Sequence, residues 1–433
     1  MMKGGFKKYD AYKDSGGEWL GNIPNHWDIK RLKDIGFSII GITYSPEDVL
    51  DDETRGVLVL RSSNIQNNKL SLLDNVYVDN IIRPKQTIRK GDILICSRNG
   101  SRSLIGKNIL IDKKTQGNTF GAFMTVYRTK YFQFIHKFFN SKLFESQSGL
   151  YMSSTVNQLT INTLNNFLIT LPPLTEQKVI ASYLDEKTAH IDRKIEILTQ
   201  KSEKYGELKK ALINETVTRG LDKNKDMKDS RVEWIGEVPA HWEVTTVNNI
   251  TNIVSDKNHP EEELLSVYRD YGVIVKSTRD DNHNKAGKDL AGYKLVEAGF
   301  LVINKMKAWQ GSLGVSEFRG IVSPAYITCE TDKKVVERSY LHHLLRCRNY
   351  INEYNRLSYG VRVDQWDMRY DDFKYVPVLL PPMEEQQAIA SYLDTKTTQI
   401  DSITETINTQ IEKLKELRKT LINDVVTGKI KVV

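Results

Sequence analysis

Several stretches of this 433-residue chain hold residue types that could do chemistry. The segment "GSRSLIGKN" (Gly100–Asn108) sets two glycines ahead of a lysine, as a phosphate-cradling loop would. Five residues separate those glycines instead of four, and Asn108 stands where such a loop needs a magnesium-binding hydroxyl, so the phosphate geometry fails. A glycine-rich turn is the better reading. The acidic run "EDVLDDE" (Glu47–Glu53) has cation-binding oxygens but reads as a solvent-facing loop. His342 and His343 are adjacent in a helical pattern, so they point to different faces and make a poor ligand pair. Cys96, Cys329 and Cys347 show no C-x-x-C spacing, which argues for isolated reduced thiols and against disulfides or zinc. Both Pro-Pro pairs follow leucine, so the tetrad of an amino-methyltransferase is absent. No catalytic site and no metal site is expected.

The elements around these residues alternate in kind. Short β-rich runs such as "GVLVLRSSNI" (Gly56–Ile65), "GDILICSRNGS" (Gly91–Ser101) and "GAFMTVYRT" (Gly121–Thr129) are punctuated by Gly, Asn and Ser turns. A second set comprises "GVIVKST" (Gly272–Thr278), "AGFLVINKMKAWQGSLGVS" (Ala298–Ser316) and "GIVSPAYITCE" (Gly320–Glu330). Each set is followed by a helical stretch, at Tyr131–Phe144 and Glu337–Tyr354. The expectation is a mixed α+β body, twice.

Composition narrows the class. Apolar content of 39% and charged content of 27% describe a soluble globular protein too long for one core. No apolar run could span a bilayer, and the N-terminus lacks the apolar region of a secretory signal. Residues 1–170 carry 23 Lys+Arg against 15 Asp+Glu, a net +8, while the whole chain nets +7. That surplus suits a polyanion-binding surface. Residues 226–379 are near neutral, and their basic residues cluster locally: Lys276 and Arg279, then Lys305 and Lys307 beside Trp309 and Gln310.

The chain is also a tandem duplication. "LPPLTEQKVIASYLDEKTAHID" (Leu171–Asp192) and "LPPMEEQQAIASYLDTKTTQID" (Leu380–Asp401) share 15 of 22 positions at an offset of 209. The offset persists to "LINETVT" (Leu212–Thr218) and "LINDVVT" (Leu421–Thr427). Upstream, "KDSGGEWLGNIPNHWDI" (Lys13–Ile29) matches "KDSRVEWIGEVPAHWEV" (Lys228–Val244) at 215. Proline ends an extended segment, and acidic and amide groups then suit a helix start at Glu176-Gln177 and Glu385-Gln386. Apolar residues recur at near-heptad spacing: Ile180, Leu184, Ile191, Ile195, Leu198, Tyr205, Leu208, Leu212, and in the second copy Ile389, Leu393, Ile400, Ile407, Ile411, Leu414, Leu417, Leu421. Two matched rods with one apolar stripe each are expected to pack on each other, every buried Leu or Ile contributing about 1.5–3 kcal/mol.

With those motifs in hand, the chain resembles the specificity subunits of type I restriction–modification systems. The likeness rests on W-[IL]-G-x-[IV]-P-x-H-W before each body, [IV]-x-L-P-P-x-x-E-Q at each helix start, and the I-A-x-[YF]-L-D helix after it. The resemblance implies an α+β protein with pseudo-two-fold internal duplication: two mixed α/β target-recognition domains at residues 1–170 and 226–379. A central helix with its linker (171–225) and a C-terminal helix (380–433) would separate them as an antiparallel coiled coil. It implies double-stranded DNA with a bipartite site as ligand, and two methyltransferase subunits with translocase–nuclease subunits as partners. Those partners would use S-adenosylmethionine, ATP and magnesium; this chain, in the bacterial cytoplasm, would bind none and catalyse nothing. The alternatives are a target-recognition subunit of a two-sided-cutting restriction system, a stand-alone enzyme with a cryptic site, and a coiled-coil scaffold without a DNA role.

Within the two heads, chemistry selects candidates. Arginine pairs bidentately with guanine and Asn or Gln with adenine, while Lys and Ser more often hold phosphates. In the first head these are Arg61, Ser62, Asn64, Arg98, Asn99, Ser101 and Arg102; in the second, Lys276, Arg279, Lys305, Lys307, Trp309, Gln310 and Arg362. For subunit docking the candidates are Glu176, Gln177, Glu385 and Gln386, expected in exposed first turns.

Overall fold

The computed structural model describes residues 7–17, 20–51, 54–66, 69–151, 157–279, 289–360 and 366–432. The chain divides into two compact units, one of residues 1–198 with 409–433, the other of residues 199–408. This differs from a division in sequence order. Each unit takes one half of each long helix, because each half buries its apolar residues in the core beside it.

The first unit holds β1 (Phe37–Ile40), β2 (Val57–Leu60), β3 (Ile93–Cys96), β4 (Asn108–Leu110) and β5 (Met124–Arg128). Four of these form an antiparallel sheet in the order β4-β3-β5-β1, with Ile95 opposite Thr125 and Thr125 opposite Ile40. β3 is buried on both faces, which its unbroken Ile-Leu-Ile-Cys predicts. β2 belongs to a second sheet, parallel to Thr119–Phe120 and antiparallel to Tyr77–Val78.

The second unit holds β6 (Thr251–Ile253), β7 (Gly272–Val275), β8 (Leu301–Ile303), β9 (Leu313–Val315) and β10 (Ile327–Thr331). Its sheet order β9-β8-β10-β6 repeats that of the first unit, strand for strand. The duplication therefore extends through bodies whose sequences looked unrelated.

The shared lead-in closes each head. Trp27 and Trp242 are fully buried. The strand after each, Asp28–Arg31 or Glu243–Thr246, pairs antiparallel with the strand that runs into Pro-Pro, Leu168–Leu171 or Pro377–Leu380.

The long helices span Leu174–Arg219 (46 residues) and Met383–Val426 (44 residues), or roughly 65–70 Å each at ~1.5 Å per residue. In the second unit Ser202 Oγ donates to Asn408 Oδ1 at 3.4 Å and Lys209 pairs with Asp401 at 2.6 Å. Seven residues forward on one helix match seven back on the other, so the segments run antiparallel. In the first unit Arg418 pairs with Asp192 at 2.8 Å. Lys209 and Arg418, like Asp192 and Asp401, are 209 apart, so one ion pair is made twice.

Most stripe residues face inward: Ile180, Leu184, Ile389 and Leu393 are fully buried, and Ile400, Ile407, Ile411 and Leu421 nearly so. Leu208 and Leu417 do not, being 52% and 51% exposed. The seam runs through Lys209 and Arg418 instead, one position on, and turns both leucines outward. All three cysteines are free and buried. No described helix is long and apolar enough to cross a membrane.

Candidate nucleic-acid interface

In the first head two strand-end turns meet. After β2, Arg61 opens a 3-10 turn over Ser62–Asn64. After β3 the chain passes through Ser97, Arg98 and Asn99 to a second turn at Arg102–Leu104. Asn99 Nδ2 donates to Ser62 Oγ at 3.2 Å and joins the two. Arg98 is exposed; its N–H donates to Phe123 O at 3.0 Å and its guanidinium lies 5.1 Å from the centre of the Phe123 ring. Arg98 also forms a β-bridge with Gln158, and Asn157 Nδ2 donates to Gly100 O at 3.0 Å. Ser101 N donates to Asn99 Oδ1 at 2.9 Å, and Arg102 reaches Gly149 O. Among the described residues no carboxylate ion-pairs with Arg98 or Arg102, so both charges stay available to an anion. The segment that looked like a phosphate loop is this turn, with Asn108 buried and donating to Gly106 O and Phe139 O.

Two candidates in this head need correction. Asn64 is fully buried: its Oδ1 accepts from Arg61 N, and its Nδ2 donates to Ser71 O and Asp74 O. It shapes the turn and has no amide left to read a base. Arg61 pairs with Asp74 at 2.9 Å, which neutralises its charge.

The second head repeats the turn after the central strand with other side chains, while its other 3-10 turn follows β7, the antiparallel partner of Leu265–Tyr268. After β7 comes the 3-10 turn Lys276–Thr278, and Arg279 stacks over Tyr271 (4.9 Å) and Tyr268 (5.6 Å). After β8 comes the turn Lys305–Gln310, held to the next segment where Met368 N donates to Lys305 O at 3.1 Å. Lys305 pairs with Asp367 at 3.2 Å, so it is not a free cation, whereas Lys307 is exposed. The Trp309 and Trp366 rings lie 5.3 Å apart, and the Trp309 indole N–H is buried without a partner. Gln310 ends the turn, half-buried. Arg362 lies outside the described residues, as do Asp52 and Glu53 of the acidic loop.

Sequence reasoning missed Phe123, Gln158, Tyr268, Tyr271, Trp366 and Asp367. A signal existed for some of them: Gln158 and Asp367 stand 209 apart, so the repeat offset reaches upstream of Pro-Pro into the heads.

The helix starts are not the exposed turns expected. Glu176 is buried, accepting from Tyr9 Oη at 2.5 Å and lying 2.9 Å from His26 Nε2. Burial and the neighbouring Glu176 carboxylate push the Tyr9 phenol far up. Glu385 repeats the contact with His241 at 2.7 Å but stays partly exposed. Gln177 and Gln386 are buried, donating to Pro172 O and Pro381 O, and Gln386 also accepts from Glu337 N. Glu176, Gln177 and Gln386 therefore fasten each helix to its head and offer no free surface for a partner. The His of P-x-H-W and the Glu of P-P-x-x-E-Q recur together because they touch. His342 and His343 diverge as their spacing requires, to Val315 O (3.2 Å) and to Asp394 (2.8 Å).

The family model described as the type I restriction modification DNA specificity domain matches residues 24–204 and again 239–413. The chain is 26% identical to the putative type I restriction enzyme MjaX specificity subunit of Methanocaldococcus jannaschii, over 95% of this chain and 96% of that protein. It is 24% identical to the type I restriction enzyme EcoKI specificity subunit of Escherichia coli K12, over 95% and 90%. A solved chain from work on complex assembly and conformational transition of the type I restriction–modification system superposes with a TM-score of 0.66 at 17% identity, covering 93% of this chain and 98% of that one. With two copies of the DNA specificity domain spanning most of its length, the chain belongs to the specificity subunits of type I restriction–modification systems.

Proposed function

We propose that each head reads one half of a bipartite duplex site and that the paired helices set the spacer between the halves. The observation that carries this is the repeated reading end. Both heads place a 3-10 turn after the equivalent central strand, β3 or β8, and fill that connection with different side chains: Arg98, Asn99, Ser101 and Arg102 in one, Lys305, Lys307, Trp309 and Gln310 in the other. One frame with two sets of base-facing chemistry suits two unrelated half-sites about a helical turn apart.

The chain itself performs no chemistry in this reading. Methyl transfer and cleavage belong to partner subunits, which bring S-adenosylmethionine, ATP and magnesium in the cytoplasm. Two identical partners need two identical surfaces, and the outward-facing Leu208 and Leu417 supply a matched apolar pair. They take the place of the buried Glu176, Gln177 and Gln386 as docking positions.

Exchanging residues 29–169 for the matching body of a related chain should alter one half-site only, read from the methylome of cells carrying the swap. If both half-sites change together, the two-head reading is wrong.

A further inference from the structure

The first head carries an apolar tip that stands out from its surface. Leu72 and Leu73 are 48% and 97% exposed. Exposed leucines scattered singly call for no explanation. These two sit side by side on a turn that is pinned from below. Asn64, fully buried, donates to Ser71 O at 3.0 Å and Asp74 O at 3.2 Å, one on each side of the pair. Ser71 N donates back to Asn64 O at 2.8 Å, and Arg61 donates to Asp74 O at 3.1 Å while neutralising its carboxylate. The base of the turn is thus tied to the turn that follows β2, the one Asn99 joins to Arg98. What projects from this base is branched hydrocarbon, on the same edge as an exposed Arg98 and a Phe123 that is 59% exposed. A cation there meets a phosphate or a base edge; a hydrocarbon meets an apolar partner.

On the edges of the bases in the major groove, the apolar group is the C5-methyl of thymine. We infer that Leu73 reads a thymine by packing on that methyl group, an inference that rests on the reading above that this head faces duplex DNA. The neighbouring Asp74 does not repel the backbone, because Arg61 already holds its charge. Leu72, half as exposed, backs Leu73 at the rim of the turn. Removing one methyl-sized contact from water is worth about a fourfold preference for thymine.

The test compares the full chain as wild type, Leu73→Ala, Leu73→Met and Ile81→Ala. Each selects from a randomised duplex pool made with dTTP and from the same pool made with dUTP, whose base lacks the methyl. Wild type should enrich a motif with one thymine preferred about fourfold, and lose that preference in the dUTP pool. Leu73→Ala should lose it in both pools with the other positions unchanged, and Leu73→Met should keep most of it. Ile81 is 92% exposed but follows Tyr77–Val78, which pairs with the opposite end of β2, so Ile81→Ala should behave as wild type. An identical motif from Leu73→Ala overturns the inference and leaves DNA reading intact. So does a uniform loss of affinity at all positions, or a thymine preference that survives in dUTP. No enriched motif from any protein in either pool overturns the DNA-reading role itself, and the inference with it.

Discussion

His343 Nε2 lies 2.8 Å from Asp394 Oδ1, at the position where the first unit sets Lys137 against Asp185. The two aspartates are 209 apart, in the shared S-Y-L-D of each long helix, and both basic partners lie on the short helix of the adjacent head. One latch therefore joins head to helix in both units, with lysine in one and histidine in the other.

That difference adds an acid-sensitive latch to the second unit, beside a buried, depressed histidine that both units share as His136 and His342. The hydrogen bond from His343, reinforced by Ser339, holds the Asp394 carboxyl below its ordinary range. Its contribution to stability is present above the ordinary aspartate value and is lost as pH falls through the lowered one. Burial, with Arg346 and His343 beside it, pushes His342 from 6.5 down to about 3. A depressed histidine stabilises fully above its unfolded value, so its share is lost as pH falls from about 6.5 toward 3. Amide hydrogen exchange over residues 301–345, followed against pH, should show protection falling across that window. His342→Gln should flatten the fall, and Asp394→Asn should remove the part below pH ~4. Unchanged profiles in both variants would refute this account.

Charge reversal at the two helix starts should be unequal. Glu176 is buried between Tyr9 and His26, so Glu176→Lys leaves an uncompensated charge inside and should cost about 3 kcal/mol or more. Glu385 is partly exposed, so Glu385→Lys should cost about 1 kcal/mol or less. Denaturant titration of the single variants decides; equal losses would contradict the burial difference.

The glycines that end the two long helices should also differ. Both take φ of +75°, the left-handed conformation that suits a helix C-terminus. A Cβ at Gly428 would lie 2.3 Å from Pro24 Cδ, whereas one at Gly220 would first meet the flexible Glu385 side chain at 3.0 Å. Gly220→Ala should cost about 1 kcal/mol, from backbone strain and a 3.3 Å approach to the Trp242 ring. Gly428→Ala should cost roughly 2–3 kcal/mol, because the proline ring beneath cannot move aside. Thermal melts showing the reverse order would rule this out.

Arg98→Ala separates base reading from phosphate holding. If Arg98 reads a guanine, the change should cost roughly 1–3 kcal/mol and relax one position of the site. If it only holds a phosphate, affinity should fall evenly across sequences and the salt slope should shrink by about one unit. Binding measured at several salt concentrations, on the cognate duplex and single-base variants, tells the two apart.

The amino-acid sequence alone determined the duplication, the two long helices and the α+β character of the heads. Each of those rests on local periodicity or on direct identity between copies, both visible along the chain. It also located the turns after β3 and β8, because a short apolar strand followed by Arg-Asn-Gly or Asn-Lys announces its own turn. What the tertiary structure decided was exposure. Glu176 and Gln177 have the residue types of a solvent-facing first turn and are buried, because the Trp27 lead-in folds over them. Asn64 reads as a base contact and is a turn keystone, since its partners Ser71 and Asp74 become neighbours only once the chain reverses. Leu208 and Leu417 continue the heptad on paper, but Lys209 and Arg418 take the seam to reach Asp401 and Asp192 on the opposing helix. A side chain's partner across some 190–230 residues of chain is a property of packing, and local pattern carries no record of it.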